Sequence, residues 1–160
     1  MKDFYFSAKG RVSRKDYWLK FVLPIIGVYI VAVVIIGGLM AALGDAGAIA
    51  GILALPLLIG VFWASICVGA KRFHDRGWSG WWVLYFFLIG LAIMVVQYGA
   101  VFIFGESAIG AMIAGVAALA SLGVSIWQLV LLGFLPGDKG PNAYGEDPLN
   151  PTGGTAETFA

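Results

Sequence analysis

The chain has 160 residues, a length that permits one domain, and it carries 61% hydrophobic and only 12% charged residues. Soluble domains carry about 25% charged residues, and a mean hydropathy of +0.92 means more apolar surface than a soluble protein of this size can bury. The composition therefore excludes a water-soluble class and implies an integral membrane protein. A net charge of +1 says little about partners, because what matters in a membrane protein is where the charges lie.

Residues 1–16 are polar and basic, with Phe4, Tyr5 and Phe6 interleaved. Ser13 stands three positions before Asp16, a spacing that lets a side-chain oxygen cap the first amides of a helix. A first helix is expected to begin near Arg14. Its apolar part, Phe21 to Gly44, is 24 uncharged residues, against roughly 20 needed to cross the hydrocarbon. It is also far longer than the roughly 7–15 apolar residues of a signal sequence, so the helix is expected to stay uncleaved. Pro24 removes an amide and predicts a kink near the start of this span.

Gly44-Asp45-Ala46-Gly47 reads as a tight turn, and Ala46 to Ala70 as a second span with Pro56 near its middle. Cys67 lies in this run. One cysteine excludes an internal disulfide and a multi-cysteine metal site, and it reads as a small core residue. The polar stretch Lys71 to Trp82 follows, with the only histidine, His74. The third span is entered through Trp81 and Trp82 and ends at the turn Gly105-Glu106-Ser107, and the fourth run extends from Ser107 to Gly137. The spans are expected at about residues 19–43, 47–70, 81–104 and 108–135 of a single domain covering 1–148, with 149–160 a disordered tail.

Four spans put both termini and the central stretch on one side. Of the ten Lys and Arg residues, six lie at or before Lys20, three between Lys71 and Arg76, and one at Lys139. The two opposite turns carry none. The positive-inside rule assigns the basic face to the cytoplasm. The fold class expected is all-α: a polytopic bundle of four transmembrane helices with both termini cytoplasmic.

Small residues recur every four positions in the fourth span, at Gly110, Ala114 and Ala118 and at Ala117, Ser121 and Ser125, and Gly47 and Gly51 form a GxxxG. Such stripes allow close helix approach in lipid, so the fourth helix is expected at the centre of the bundle or at an oligomer contact. Gln97 and Gln128 are the strongly polar side chains within the spans. They lie at different depths, about 24 Å and about 12 Å from the basic face at 1.5 Å per residue, and are not expected to pair. No acidic or basic residue lies mid-membrane, which argues against an ion-coupled pump.

Three polar segments meet on the basic face. One reading is structural: cations set topology, tryptophans mark the interface and glycines make turns. A second is an anion site, in which Arg11, Arg14, Arg72 and Arg76 present guanidinium forks to a lipid phosphate beside Trp78, Trp81 and Trp82. The acids Asp16, Asp75, Asp138, Glu146 and Asp147 compete for those arginines and would clamp the tail over the central stretch. A third is catalysis by His74 with Asp75 beside it, acting on a lipid headgroup. Adjacent helical residues do not face each other, and there is no metal-ligand set, P-loop or nucleophile elbow.

Phe6 to Trp18 resembles the opening "F.GR.SR.EYW" of the bacterial domain-of-unknown-function 805 inner-membrane family. Lys71 to Trp82 is similar to its "RLHD.G.SGWW" stretch, with Phe73 where leucine is usual, and Pro136 to Gly145 to its "PG..G.N.YG" ending, with Ala143 where a basic residue is frequent. The resemblance implies a small polytopic bacterial inner-membrane protein and supplies no activity or cofactor. The expectation is a non-enzymatic protein without cofactor or metal. Its composite cytoplasmic site, drawn from Arg11, Arg14, Arg72, His74, Asp75, Arg76, Trp78, Trp81, Trp82, Asn142 and Tyr144, would bind an anionic lipid headgroup or a partner protein. The partners expected are membrane lipids, a further copy of the chain or another membrane protein, and no nucleic acid. The alternatives are an oligomeric transport or channel component and an enzyme acting on a lipid headgroup.

Overall fold

The computed structural model describes residues 2–44, 48–105 and 107–150, and among these it is all-helical, with no strand. Four helices are long and apolar enough to cross a membrane: span 1, Arg14–Leu43; span 2, Gly51–His74; span 3, Trp82–Phe104; span 4, Ala108–Phe134. A short helix, Lys2–Phe6, precedes them. Asp45, Glu106, Gly47 of the expected GxxxG and the tail 151–160 lie outside the described residues.

Span 1 starts where its cap predicts. Ser13 Oγ accepts the amide of Asp16 at 3.1 Å. Its first turns, Tyr17–Val22, are wound wide as a π-helix, and Pro24 stands at the start of the regular α-helix Leu23–Leu43. A proline cannot donate to the carbonyl four residues back, and the carbonyl so freed, that of Lys20, accepts the Tyr5 hydroxyl at 2.6 Å. Pro56 acts similarly in span 2, where the helix breaks between Ala48–Leu53 and Leu55–His74. This break falls toward the far end of the span rather than its middle, because the helix runs on to His74 instead of stopping at Ala70. Lys71, Arg72 and His74 occupy its last turn, where cations favour the negative end of the helix dipole.

Spans 3 and 4 form a hairpin packed along most of its length. Gly110 allows the close turn: a Cβ there would meet Gly105 O at 2.9 Å and Phe104 Cβ at 3.0 Å. The seam of span 4 uses Gly110 and Ala117, which are buried, while Ala118 and Ser125 are exposed. The four-residue repeat drifts around a helix of 3.6 residues per turn, so only part of each stripe faces span 3.

The buried core is concentrated at the basic end, where Val12, Tyr17, Phe21, Val68, Phe73, Phe86, Leu131 and Leu132 pack together. Beyond Val22, no residue of span 1 is buried. The molecule is thus closed tightly at its polar face and opens toward the other.

Candidate functional site: a polar clasp and the groove beside it

Spans 2 and 4 both end on the basic face, and each helix end leaves carbonyls without intrahelical partners. At the end of span 4, the carbonyls from Leu132 to Leu135 are taken by side chains. Arg72 Nε donates to Leu132 O at 2.7 Å and Arg72 Nη2 to Leu135 O at 3.1 Å. Trp18 Nε1 donates to Gly133 O and Arg14 Nη1 to Phe134 O, each at 3.0 Å. Arg72 also donates through Nη1 to Val12 O at 3.0 Å and to Asp75 Oδ2 at 2.7 Å. Its side chain is fully buried.

Asp75 is the hinge of the second half. Its other oxygen, Oδ1, accepts from Arg11 Nε at 3.1 Å. The Arg11 fork then reaches the C-terminal segment, donating to Gly140 O and Asp138 O, each at 2.6 Å. Burial pushes the Asp75 carboxyl above its ordinary value, with the neighbouring Arg72 and then Arg11 pulling against it. The amide of Asp138 donates to Asp75 O at 2.7 Å, and the chain passes so close that a Cβ on Gly137 would meet that same oxygen at 2.8 Å. The carboxylate clamp expected between tail and central stretch is therefore formed, by Asp75. Asp16 instead pairs with Lys20 at 2.8 Å.

Residues 136–148 form a strap across this face. Asn142 and Gly145 pair through both backbone hydrogen bonds, 3.0 and 3.1 Å, and Asn142 Oδ1 accepts the Tyr144 amide at 2.9 Å. Asn142 Nδ2 donates to His74 O at 2.9 Å. This turn lays the Tyr144 ring flat on His74, with centroids 4.0 Å apart and an interplanar angle of 3°. His74 Nδ1 meets Gly10 O at 3.2 Å. His74 and Asp75 consequently point to different partners and do not orient one another.

The aromatic residues divide. Trp78 stacks on Phe73, with centroids 6.1 Å apart, and carries the Arg76 guanidinium at 4.9 Å. Arg76 Nη1 is buried without a hydrogen-bond partner. Trp82 packs on Trp78 at 5.2 Å, and Trp81 is 76% exposed. Lys71 donates to the carbonyls of Asp3 and Phe4, which docks the N-terminal helix.

The residues expected to form one site are thus brought together, but Arg11 and Arg72 are consumed by carbonyls and by Asp75. Beside the clasp, between spans 2 and 3, runs a cavity of about 600 Å³. Phe62, Ile66 and Ala70 line it from span 2, Leu84 and Phe87 from span 3, and its polar end is formed by His74, Ser79 and Tyr144. Sequence reasoning missed this groove. The available signal was Phe62, Ile66, Ala70 and His74 at four-residue spacing, one stripe of a helix ending in its histidine. Among the described residues no three His, Cys, Asp or Glu side chains gather as a metal would require.

The clasp joins the same three segments that carry the family resemblance, and the DUF805 family, described as "Protein of unknown function", matches residues 5–146. The chain belongs to this family. The DUF805 match covers all three clasp segments. Over 149 residues the chain is 27% identical to the "Uncharacterized protein YiiR" of Escherichia coli strain K12, covering 92% of this chain and 89% of the relative. The same figures hold for YiiR of Escherichia coli O157:H7. No solved structure matches.

Proposed function

We propose that this DUF805 protein is a non-enzymatic component of the bacterial inner membrane, with its clasp and both termini in the cytoplasm, and that it holds a phospholipid of the cytoplasmic leaflet between spans 2 and 3. The orientation rests on all ten Lys and Arg residues falling on the clasp face. The groove carries the lipid reading. It is apolar along the helices and polar only at the clasp end, which is the layout of an acyl chain below a headgroup. The clasp supplies a rigid wall: Tyr144 is held by the strap, and His74 by Gly10 and Asn142. Arg11 and Arg72 serve that wall rather than the ligand.

Native mass spectrometry of protein released from membranes tests the reading. Leu84 is 43% exposed and lines the groove, so Leu84→Trp fills it without entering the core. Val95, 62% exposed on the same helix and away from the groove, supplies the control Val95→Trp. Co-purified lipid is expected on the wild type and on Val95→Trp and strongly reduced on Leu84→Trp. Protein free of lipid in all three, or lipid unaffected by Leu84→Trp, would sink the proposal.

A further inference from the structure

The polar end of the groove has a definite hydrogen-bonding character. A carbonyl oxygen only accepts, so the contact with Gly10 O makes His74 Nδ1 the protonated nitrogen. In the neutral ring Nε2 is then an acceptor, and it makes no hydrogen bond among the described residues. It faces Gly80: a Cβ placed there would meet Nε2 at 2.9 Å and Ala70 Cβ at 3.0 Å. Two residues' worth of donors lie beside it. Ser79 and Gly80 both line the groove; the Ser79 hydroxyl oxygen accepts the Trp81 amide at 3.4 Å, which leaves its own proton to donate, and neither the Ser79 nor the Gly80 amide donates to another described residue. They precede span 3, whose own first amides, those of Trp82 and Val83, are taken by the Ser79 and Gly80 carbonyls, and a phosphate oxygen can accept from such free backbone donors. No Lys or Arg lines the groove.

We propose that the lipid held here carries an ammonium with at least one N–H, which donates to His74 Nε2, while its phosphate accepts from Ser79 and Gly80. This inference rests on the groove reading above and names the ligand class. An acceptor beside neutral donors matches an aminoethyl phosphate headgroup, as in phosphatidylethanolamine. A simple anionic headgroup would find no counter-charge in the groove lining, because Arg11 and Arg72 are turned into the clasp and Arg76 lies on the Trp78 ring. A choline headgroup brings the charge but no N–H, and its methyl groups would crowd Nε2.

The test is a methylation series that keeps the headgroup charge constant: phosphatidylethanolamine, its N-methyl and N,N-dimethyl forms, and phosphatidylcholine, all with the same acyl chains. Each is exchanged onto delipidated protein in detergent, and retention is read by native mass spectrometry. The wild type is expected to hold the first three and to bind phosphatidylcholine about tenfold more weakly, the worth of one hydrogen bond to a charged group. His74→Phe keeps a ring to stack on Tyr144 but removes the acceptor. Gly80→Ala crowds Nε2 and has no contact with Arg11, Arg72 or Asp75. Both are expected to abolish the discrimination while still retaining lipid. Equal retention of all four lipids by the wild type overturns this inference and leaves the groove reading standing, as does discrimination that persists in His74→Phe. Retention of none removes both.

Discussion

Arg72 shows how much of a basic motif can be structural. Its guanidinium donates to Leu132, Leu135, Val12 and Asp75, so one side chain closes span 4, the N-terminal segment and span 2 together. Removing one member of a buried ionic network costs about 3–5 kcal/mol, because the groups left behind stay desolvated and unpaired. Arg14 also caps span 4, but from an exposed position and through a single carbonyl, a contact worth about 1 kcal/mol. Thermal unfolding in detergent should therefore show a large fall in midpoint for Arg72→Ala and a small one for Arg14→Ala. Similar falls in the two variants would mean that Arg72 does not hold the clasp. Arg72 is thus a helix-end cap rather than a ligand fork, and His74, not a guanidinium, is among the polar residues lining the groove.

At the scale of elements, the strap 136–148 is held from both sides. On one side Arg11 ties its carbonyls to Asp75. On the other, Asp147 accepts the amides of Leu149 and Gly140 at 2.9 and 3.0 Å. Those hydrogen bonds favour the ionised form and hold the Asp147 carboxyl below its ordinary value, Leu149 contributing most and Gly140 next. A depressed carboxyl stabilises the folded strap above its unfolded value, about 3.9, and that contribution is lost as pH falls through the lower folded value. The Gly140 and Leu149 amide resonances should accordingly titrate with a midpoint below about 3.9, and Asp147→Asn should remove the transition. A midpoint at or above that value would show that the strap does not depend on this carboxylate. The strap matters for the groove because it carries Tyr144, the ring that covers His74.

The whole molecule is asymmetric along the membrane normal. Its core gathers at the basic face, while no residue of span 1 beyond Val22 is fully buried. Apart from the seam of spans 3 and 4, the helices are joined mainly by polar contacts inside that face, and a groove stays open between spans 2 and 3. Orientation gives the prediction for this scale. Cysteine labels introduced near Asp45 and Glu106 should react from outside intact cells, and a label at Ser79 should not. The opposite pattern would reverse the topology and place the groove's polar end in the other leaflet.

Four spans, their hairpin connectivity and the collection of cations on one face were legible along the chain, because each depends on runs of local composition set by bilayer thickness and by the cost of moving charge across it. The cap at Ser13 and the disturbances at Pro24 and Pro56 were legible for the same local reason. The partners of the arginines were not. Arg11 and Arg72 both read in sequence as phosphate forks, and only the arrival of span 4's end, some sixty positions from Arg72, and of the strap carbonyls at Arg11 decides that they are spent inside the protein. The groove was likewise a matter of tertiary structure, since its walls come from two helices whose divergence no single segment encodes. A helix end must satisfy its own carbonyls before its cations can serve anything else, and which cations lie within reach is settled only when the spans come together.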